Sequence, residues 1–389
     1  MKILQTIKGL NIEAGGLTTA TYDLVTALNQ NECPCDLLSG GELMSTQGII
    51  RYDDFVKVRM FDNRTPLAFS APMRHFLEEE NEYDLYHTNG LWVYINHITC
   101  KIARKKQKPY VISAHGMLYP EAMKRSSWKK KLLLAVWFQK DLAKAACIHC
   151  TCHEEMKHCR DLGLRNPIAV IANPVPIPDY INEIVTYPNY ETKRFSGNKI
   201  GFIGRFHQRK NIDRLLFAWE QLKDRPKDSE LVLIGTGEEE YIGYLKKIIE
   251  EKQLKNVVFT GQLNGKEKFE KLAELRAIFV PSGFENFGMI VPEALMVGTP
   301  VMASTGTPWQ DLEDYGCGWW RDNSVETLTE IMKECFAEEY PKKCVEMGIS
   351  GRKLVEDKYS SATIVRKMVK LYEYLINPKN IKPDYLYYD

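Results

Sequence analysis

The sequence predicts an α/β protein made of two doubly wound domains, each a parallel sheet flanked by helices, facing each other across a cleft. Three observations carry this expectation. Short apolar runs alternate with helical stretches in both halves of the chain, the pattern of parallel strands joined by crossover helices. The 389 residues exceed one ordinary core and suit two domains of roughly 100–200 residues each. Between the two series lies Asn173-Pro174-Val175-Pro176-Ile177-Pro178, a proline-rich break with little helix signal. The domains are therefore read as 1–178 and 179–389. With 44% apolar residues and no long apolar run, the chain has ample core and no membrane span is expected.

In chain order, Lys2 to Ile7 reads as a strand. Glu13-Ala14-Gly15-Gly16-Leu17-Thr18 follows as a Gly-Gly loop, where glycine lets backbone approach a phosphate closely, and an amphipathic helix runs from Thr19 to Leu28. No G-x-G-x-x-G is present and this loop is too long for that tight turn, which argues against an NAD dehydrogenase. Met1 to Ile7 lacks the charged-then-apolar pattern of a signal peptide, so a cytoplasmic protein is expected. Further strands are expected near Leu37, Leu85, Val111, Ile148 and Val170. His115 follows the strand Tyr110 to Ser113 and precedes Gly116, at a strand C-terminal end, where doubly wound folds place their ligands. Asn89 and Asn173 stand at other loop ends.

Net charge is +1, which excludes a strong nucleic-acid footprint, but the charge is unevenly spread. Between Lys101 and Lys144, twelve Lys and Arg residues stand against Glu121 and Asp141. Within this stretch, Leu132, Leu133, Val136, Trp137 and Phe138 recur at helical spacing beside Lys129, Lys130 and Lys131. Trp128 to Ala145 is therefore expected to be a helix with a core stripe and a basic face, either solvated or docked on anionic lipid headgroups. Ten cysteines without a secretory signal point to reduced thiols. Cys147, His149, Cys150 and Cys152 fall on an expected strand, Ala146 to Cys152, where alternation throws neighbours onto opposite faces. Buried thiols are expected there rather than a zinc site.

In the second half, Tyr180 to Gly197 reads as loop, and strands are expected at Gly201, Leu231, Val257, Ile278 and Val301. The strand at Gly201 ends in Gly204-Arg205, and a helix begins after Lys210-Asn211. Arg205 with Lys210 or Arg209 would neutralise a diphosphate, a guanidinium by forking onto two oxygens and an ammonium as a point charge. Ile278 to Val280 stops at Pro281, and Pro292-Glu293-Ala294-Leu295 reads as the first turn of a helix. Between them, the backbone amides of Phe287, Gly288, Met289 and Ile290 would face an anion over the helix N-terminus. Glu285 and Glu293, eight positions apart across this strand-to-helix transition, accept hydrogen bonds only and suit a ligand rich in hydroxyls.

Jointly these motifs resemble the retaining glycosyltransferases of family four, which have the GT-B fold. The resemblance runs through Gly15-Gly16, Ser113-Ala114-His115-Gly116, Pro167 to Val175, Gly204-Arg205 with Lys210, Glu285 to Glu293, and Gly298-Thr299-Pro300-Val301. Gly306-Thr307-Pro308-Trp309 and Gly316-Cys317-Gly318-Trp319-Trp320 resemble one bacterial polysaccharide and lipopolysaccharide subgroup. The resemblance implies two Rossmann-like domains, with the last helix, 362–375, crossing back onto the first. It also implies transfer of a sugar, with retention, from a nucleoside diphosphate sugar to a glycan or lipid-linked glycan acceptor. Glu293 would hold the ribose hydroxyls, Glu285 the donor sugar near its 3-hydroxyl, and His115 would lie by the reacting sugar. Gly15, Gly16, Arg205, Lys210 and the amides of 287–290 would take the diphosphate. Acceptors of this subgroup are often anchored in the membrane, which implies peripheral contact with an anionic cytoplasmic membrane through 101–144.

No cofactor and no metal are expected, since no DxD motif stands at a strand end in the second half. Two positions depart from the family pattern: Asn286 and Pro174 stand where many relatives carry glycine. The first would reshape the sugar pocket and the second would stiffen the hinge. The alternatives are a nucleotide-sugar epimerase or a catalytically inactive GT-B binding scaffold, and a donor hydrolysis or transfer assay separates them from a transferase.

Overall fold

A computed structural model describes residues 1–10, 16–40, 56–61, 65, 67–124, 126–186, 194–195 and 197–389. The chain forms two compact units, Met1–Pro176 with Ser361–Asp389, and Ile177–Ser360. Each is an α/β sandwich around its own sheet.

In the first unit the strands are β1 (Ile3–Ile7), β2 (Cys35–Gly40), β3 (Val58–Phe61), β4 (Leu85–Asn89), β5 (Tyr110–Ser113), β6 (Cys147–Cys150) and β7 (Ile168–Val170). The sheet is completed near the C-terminus by β14 (Leu386–Tyr387), in the order β14-β7-β6-β5-β4-β1-β2-β3. All neighbours are parallel except β14, which runs antiparallel to β7. Alternation along the strands supplies both faces. Leu4, Leu38, Tyr86, Ile112 and Ile148 enter one core. Ile3, Leu37, Leu85, Val111 and Cys147 enter the other, with Ile364, Val365, Met368, Leu371 and Tyr372 of the helix Ser361–Ile376. A parallel sheet covered on both faces needs near-continuous apolar strands, which is why these runs stood out in the sequence.

The second unit holds β8 (Lys199–Ile203), β9 (Glu230–Ile234), β10 (Val257–Gly261), β11 (Ala277–Val280), β12 (Val301–Ser304) and β13 (Gly318–Arg321), all parallel, in the order β10-β9-β8-β11-β12-β13. Strand order reverses at β1/β4 in the first sheet and at β8/β11 in the second. Doubly wound sheets bind ligands beyond the strand C-termini at such switch points.

Two local expectations are corrected. Tyr180–Thr186, read as loop, is a helix, because Ile181 and Ile184 bury at helical spacing and Tyr180 meets the Phe269 ring at 5.9 Å. The stretch Trp128 to Ala145 is helical but interrupted by a wider π turn at Leu134–Phe138, which shifts the phase of the apolar residues. Phe138 is buried, yet Leu132 and Val136, expected in the core, are 57% and 65% exposed.

Candidate functional site

In the second unit the site grows from the two strands at the switch point. After β8, Gly204 lies at φ +152°, and its carbonyl is so close to Gly235 that a Cβ there would stand 2.0 Å from the oxygen. Phe206 N donates to Thr236 O at 2.8 Å, which fixes the loop. Arg205 is exposed and makes no ion pair among the described residues. Gln208–Lys210 then forms one 3₁₀ turn, whose Arg209 N–H donates to His207 Nδ1 at 3.1 Å. Asn211 adopts φ +51°, a region that asparagine tolerates, and its amide donates to Pro281 O at 2.9 Å. The helix Ile212–Gln221 follows.

This geometry presses the loop after β8 against the loop after β11. Gly283 N donates to Arg209 O at 2.8 Å. Lys210 Nζ is ion-paired with Glu285 Oε1, and both side chains are nearly buried, at 13% and 10% exposure. Ser282 Oγ donates to the same carboxylate oxygen at 2.8 Å, and Glu285 N donates to Gly306 O at 3.0 Å. Glu285 is thus held by its backbone and oriented by two side-chain partners. Phe287 is buried against Trp309, whose indole Nε1–H donates to Phe287 O at 2.5 Å, and the Tyr359 ring meets Phe287 edge-on at 5.7 Å and Trp309 at a tilt at 5.0 Å. The amides of Phe287, Gly288, Met289 and Ile290 donate to no acceptor among the described residues. Four consecutive such donors at a loop leading into a helix form a pole of positive potential. Glu293 stands in the first turn of the helix Ile290–Met296, where Lys268 Nζ meets its Oε1 at 2.7 Å.

In the first unit His115 adopts φ +50° and Gly116 φ +75°, a sharp turn off β5. Glu155, buried in the first turn of the helix His153–Asp161, accepts from Gly116 N at 2.6 Å and so grips that turn. His115 Nε2 lies 3.1 Å from Asn89 Oδ1. Burial, with His149 nearby, pushes the His115 pKa down to about 3, so the imidazole is neutral near pH 7. Gly15 lies outside the described residues. Gly16 is the first residue of the helix Gly16–Gln30, and nothing stands within 4 Å of the Cβ it lacks.

The structure therefore brings Lys210, Glu285 and the 287–290 amides together and sets Arg205 on the loop leading to them, with Glu293 in the helix that follows. His115 belongs to the other unit. Sequence reasoning missed Ser282, Lys268, Trp309 and Glu155 as partners, and it did not foresee the contact between Asn89 and His115. Glu155 left a local trace as an acid at a helix start, and Trp309 one as part of the Gly306-Thr307-Pro308-Trp309 motif. Among the described residues no three His, Cys, Asp or Glu side chains converge as metal ligands, and His149 is engaged by Ser113 and Ile171.

Comparison with known proteins matches residues 14–177 to the profile of Glycosyltransferase Family 4 and residues 188–354 to that of Glycosyl transferases group 1. The chain belongs to the family-four glycosyltransferases of GT-B fold. One relative of this glycosyltransferase, a 41.2 kDa protein in the cps region of Klebsiella pneumoniae, is 28% identical over 52% of the chain and 54% of its own length. Another, the O-antigen chain mannosyltransferase C of Escherichia coli, is 26% identical over 46% of the chain and 47% of its own length. The chain spans about half the length of these relatives. Anabaena HepE, solved in complex with UDP, superposes with a TM-score of 0.75 at 19% identity, covering 96% of this chain and 100% of its own. That likeness shows the fold.

Proposed function

We propose that this glycosyltransferase moves a sugar, with retention, from a nucleoside diphosphate sugar to a glycan or lipid-linked glycan acceptor in bacterial surface polysaccharide or lipopolysaccharide synthesis. The observation that carries the reading is the switch point of the second unit. There a nearly buried lysine and carboxylate meet near four backbone amides that find no acceptor among the described residues. The relatives support it: one lies in a cps region, one is an O-antigen chain mannosyltransferase, and one structural neighbour was solved in complex with UDP.

In this reading Arg205, Lys210, Gly15, Gly16 and the amides of 287–290 take the diphosphate. As the bond from the sugar C1 to phosphate oxygen breaks, negative charge grows on the leaving phosphate, and donors placed there stabilise that state most. The acceptor hydroxyl attacks C1 from the same face and passes its proton to the departing phosphate, so no protein nucleophile is needed. Lys210 is shared between Glu285 and the phosphate, and a sugar hydroxyl donating to Glu285 replaces part of that ion pair. His115 is assigned to the reacting sugar. Neither a cofactor nor a metal ion takes part in this scheme.

Glu293 is assigned to the ribose hydroxyls. Glu293→Ala is expected to raise the KM for the donor about tenfold or more, with a smaller change in kcat, because a hydrogen bond to a charged group is worth about 1.5–3 kcal/mol. Steady-state kinetics over donor concentration measures this, and an unaltered KM would place the ribose elsewhere.

We also propose peripheral contact with anionic membrane through the basic stretch 101–144. Trp128, Leu132 and Val136 recur every fourth position and are 67%, 57% and 65% exposed, with exposed Lys129, Lys131, Lys140 and Lys144 on the same stretch. An apolar stripe flanked by lysines suits the headgroup boundary. Lys130 is set apart, since its ammonium donates to Ala122 O. Replacing Trp128 by Ser with Lys129 and Lys131 by Gln is expected to abolish most sedimentation with phosphatidylglycerol vesicles and to leave kcat on a soluble acceptor unchanged. Equal sedimentation would leave only a solvated face. No described helix is long and apolar enough to cross a membrane.

A further inference from the structure

Beneath β1, β4, β5 and β6 a chain of buried polar side chains runs from the carbonyl of Ile171 to His115. His149 Nε2 lies 2.8 Å from Ile171 O, and His149 Nδ1 lies 2.6 Å from Ser113 Oγ. Ser113 Oγ lies 2.6 Å from His87 Nε2, and His87 Nδ1 lies 2.7 Å from Tyr372 Oη. Gln5 Nε2 reaches the Tyr372 hydroxyl at 3.5 Å, the longest link, and Gln5 Oε1 accepts from Asn89 Nδ2 at 2.8 Å. Asn89 Oδ1 then meets His115 Nε2 at 3.1 Å. Gln5, His87, Asn89, Ser113, His149 and Tyr372 are all buried.

The proton positions follow from one end. A carbonyl only accepts, so His149 Nε2 carries a proton, and in the neutral ring its Nδ1 accepts from the Ser113 hydroxyl. Ser113 has no second proton, so His87 donates through Nε2 and accepts at Nδ1 from the Tyr372 hydroxyl. That hydroxyl in turn accepts from the Gln5 amide. Gln5 Oε1 therefore faces the Asn89 amide nitrogen, which also lies 3.5 Å from Thr6 O, and Asn89 Oδ1 is left to accept from His115. Burial lowers the pKa of His87 well below its ordinary value and that of His149 to about 4, which keeps both rings neutral as this order requires.

We propose that Ser113, His149, His87 and Tyr372 are positioning residues which, through Gln5 and Asn89, hold the His115 ring with Nε2 protonated and Nδ1 presented as a hydrogen-bond acceptor. The functional part of this rests on the assignment of His115 to the donor sugar. The ring then accepts a proton-bearing sugar hydroxyl at Nδ1 and cannot donate to it there. Tyr372, on the helix Ser361–Ile376, makes the last helix of the chain part of the support for the loop after β5.

The test uses the full chain carrying nitrogen-15 histidine, with imidazole nitrogens read by long-range proton–nitrogen correlation and the His115 signals assigned by their loss in His115→Ala. The native protein is expected to show His115 protonated at Nε2. Tyr372→Phe, which removes one buried oxygen, and Ser113→Ala are expected to turn that signal into a tautomer mixture. They should also lower kcat/KM about ten- to a hundredfold, as outer partners of site ligands do, with Ser113→Thr restoring both. A role confined to sheet stability would lower the unfolding midpoint and leave the tautomer alone. An unchanged Nε2-protonated signal in both variants overturns the proposal, as does a native His115 protonated at Nδ1. The tautomer is read without substrate, so a protein that transfers no sugar would defeat the assigned function and leave this result to stand by itself.

Discussion

Lys210→Ala is expected to lower the rate of sugar transfer about a hundred- to a thousandfold, the usual loss when one preorganised donor to a developing anion is removed. The magnitude follows from burial. Lys210 is nearly buried, where its charge is screened less than at the surface, whereas Arg205 is exposed. The substitution also leaves Glu285 with Ser282 as its remaining side-chain partner, and an uncompensated carboxylate at this depth costs up to about 3 kcal/mol. The two effects separate in a double-mutant cycle. Adding Glu285→Ala to Lys210→Ala should recover most of the lost stability, because no orphaned charge remains, while the rate stays low. Recovery of both would make the pair a structural ion pair and nothing more. Single-turnover kinetics with urea unfolding of the four proteins measures each quantity.

Gly306→Ala is the second large effect. A Cβ at Gly306 would lie 2.1 Å from Gly283 O and 2.8 Å from Gly283 C, both backbone atoms that no rotamer change can move. Gly306 O is the acceptor for Glu285 N, so the displaced loop carries the carboxylate with it. Overpacking of this kind costs about 1–3 kcal/mol or more, which in a unit of this size lowers the unfolding midpoint by roughly 5–10 °C. A shift of about 1 Å in Glu285 lowers activity about a hundredfold. Gly243→Ala is the control. It lies in the helix Glu239–Glu251 with nothing within 4 Å of the added Cβ, and is expected to stabilise the protein by up to about 1 kcal/mol with unchanged activity. Equal behaviour of the two alanines in thermal unfolding and transfer assays would mean that the Gly283–Gly306 approach does not hold Glu285.

How far the structure could be read in the sequence depended on the range of the interaction concerned. Strands buried on both faces announce themselves as apolar runs, so β1, β8 and β11 were legible. Half-exposed β3, with Arg59 in its middle, and the two-residue β14 carry no such signal. The helix Tyr180–Thr186 was hidden because its isoleucines, valine and threonine are poor helix formers, and packing overrides that propensity. The outward turn of Leu132 and Val136 depends on a π turn that no local pattern announces. In the site, charged residues just past strand ends were visible as such, since ligand sites gather there. Their partners were not. Lys210 and Glu285 are 75 positions apart, and Lys268 and Glu293 are 25 apart, so nothing short of the sheet order brings them together. The chain from Ile171 to His115 draws on β1, β4, β5, β6 and the last helix, and it was read in the sequence only as scattered histidines and polar residues.

Binding of a nucleoside diphosphate at the switch point of the second unit, through Lys210 and its neighbouring amides, is read by thermal unfolding of the protein and its Lys210→Ala variant against UDP, GDP, ADP and dTDP. At a hundredfold over Kd, a ligand of the native state adds about 2.7 kcal/mol, a rise of several degrees. Such a rise is expected with one of the four diphosphates in the native protein and a much smaller one in the variant. Flat unfolding curves with all four, or an equal rise in both proteins, would rule out diphosphate binding through Lys210.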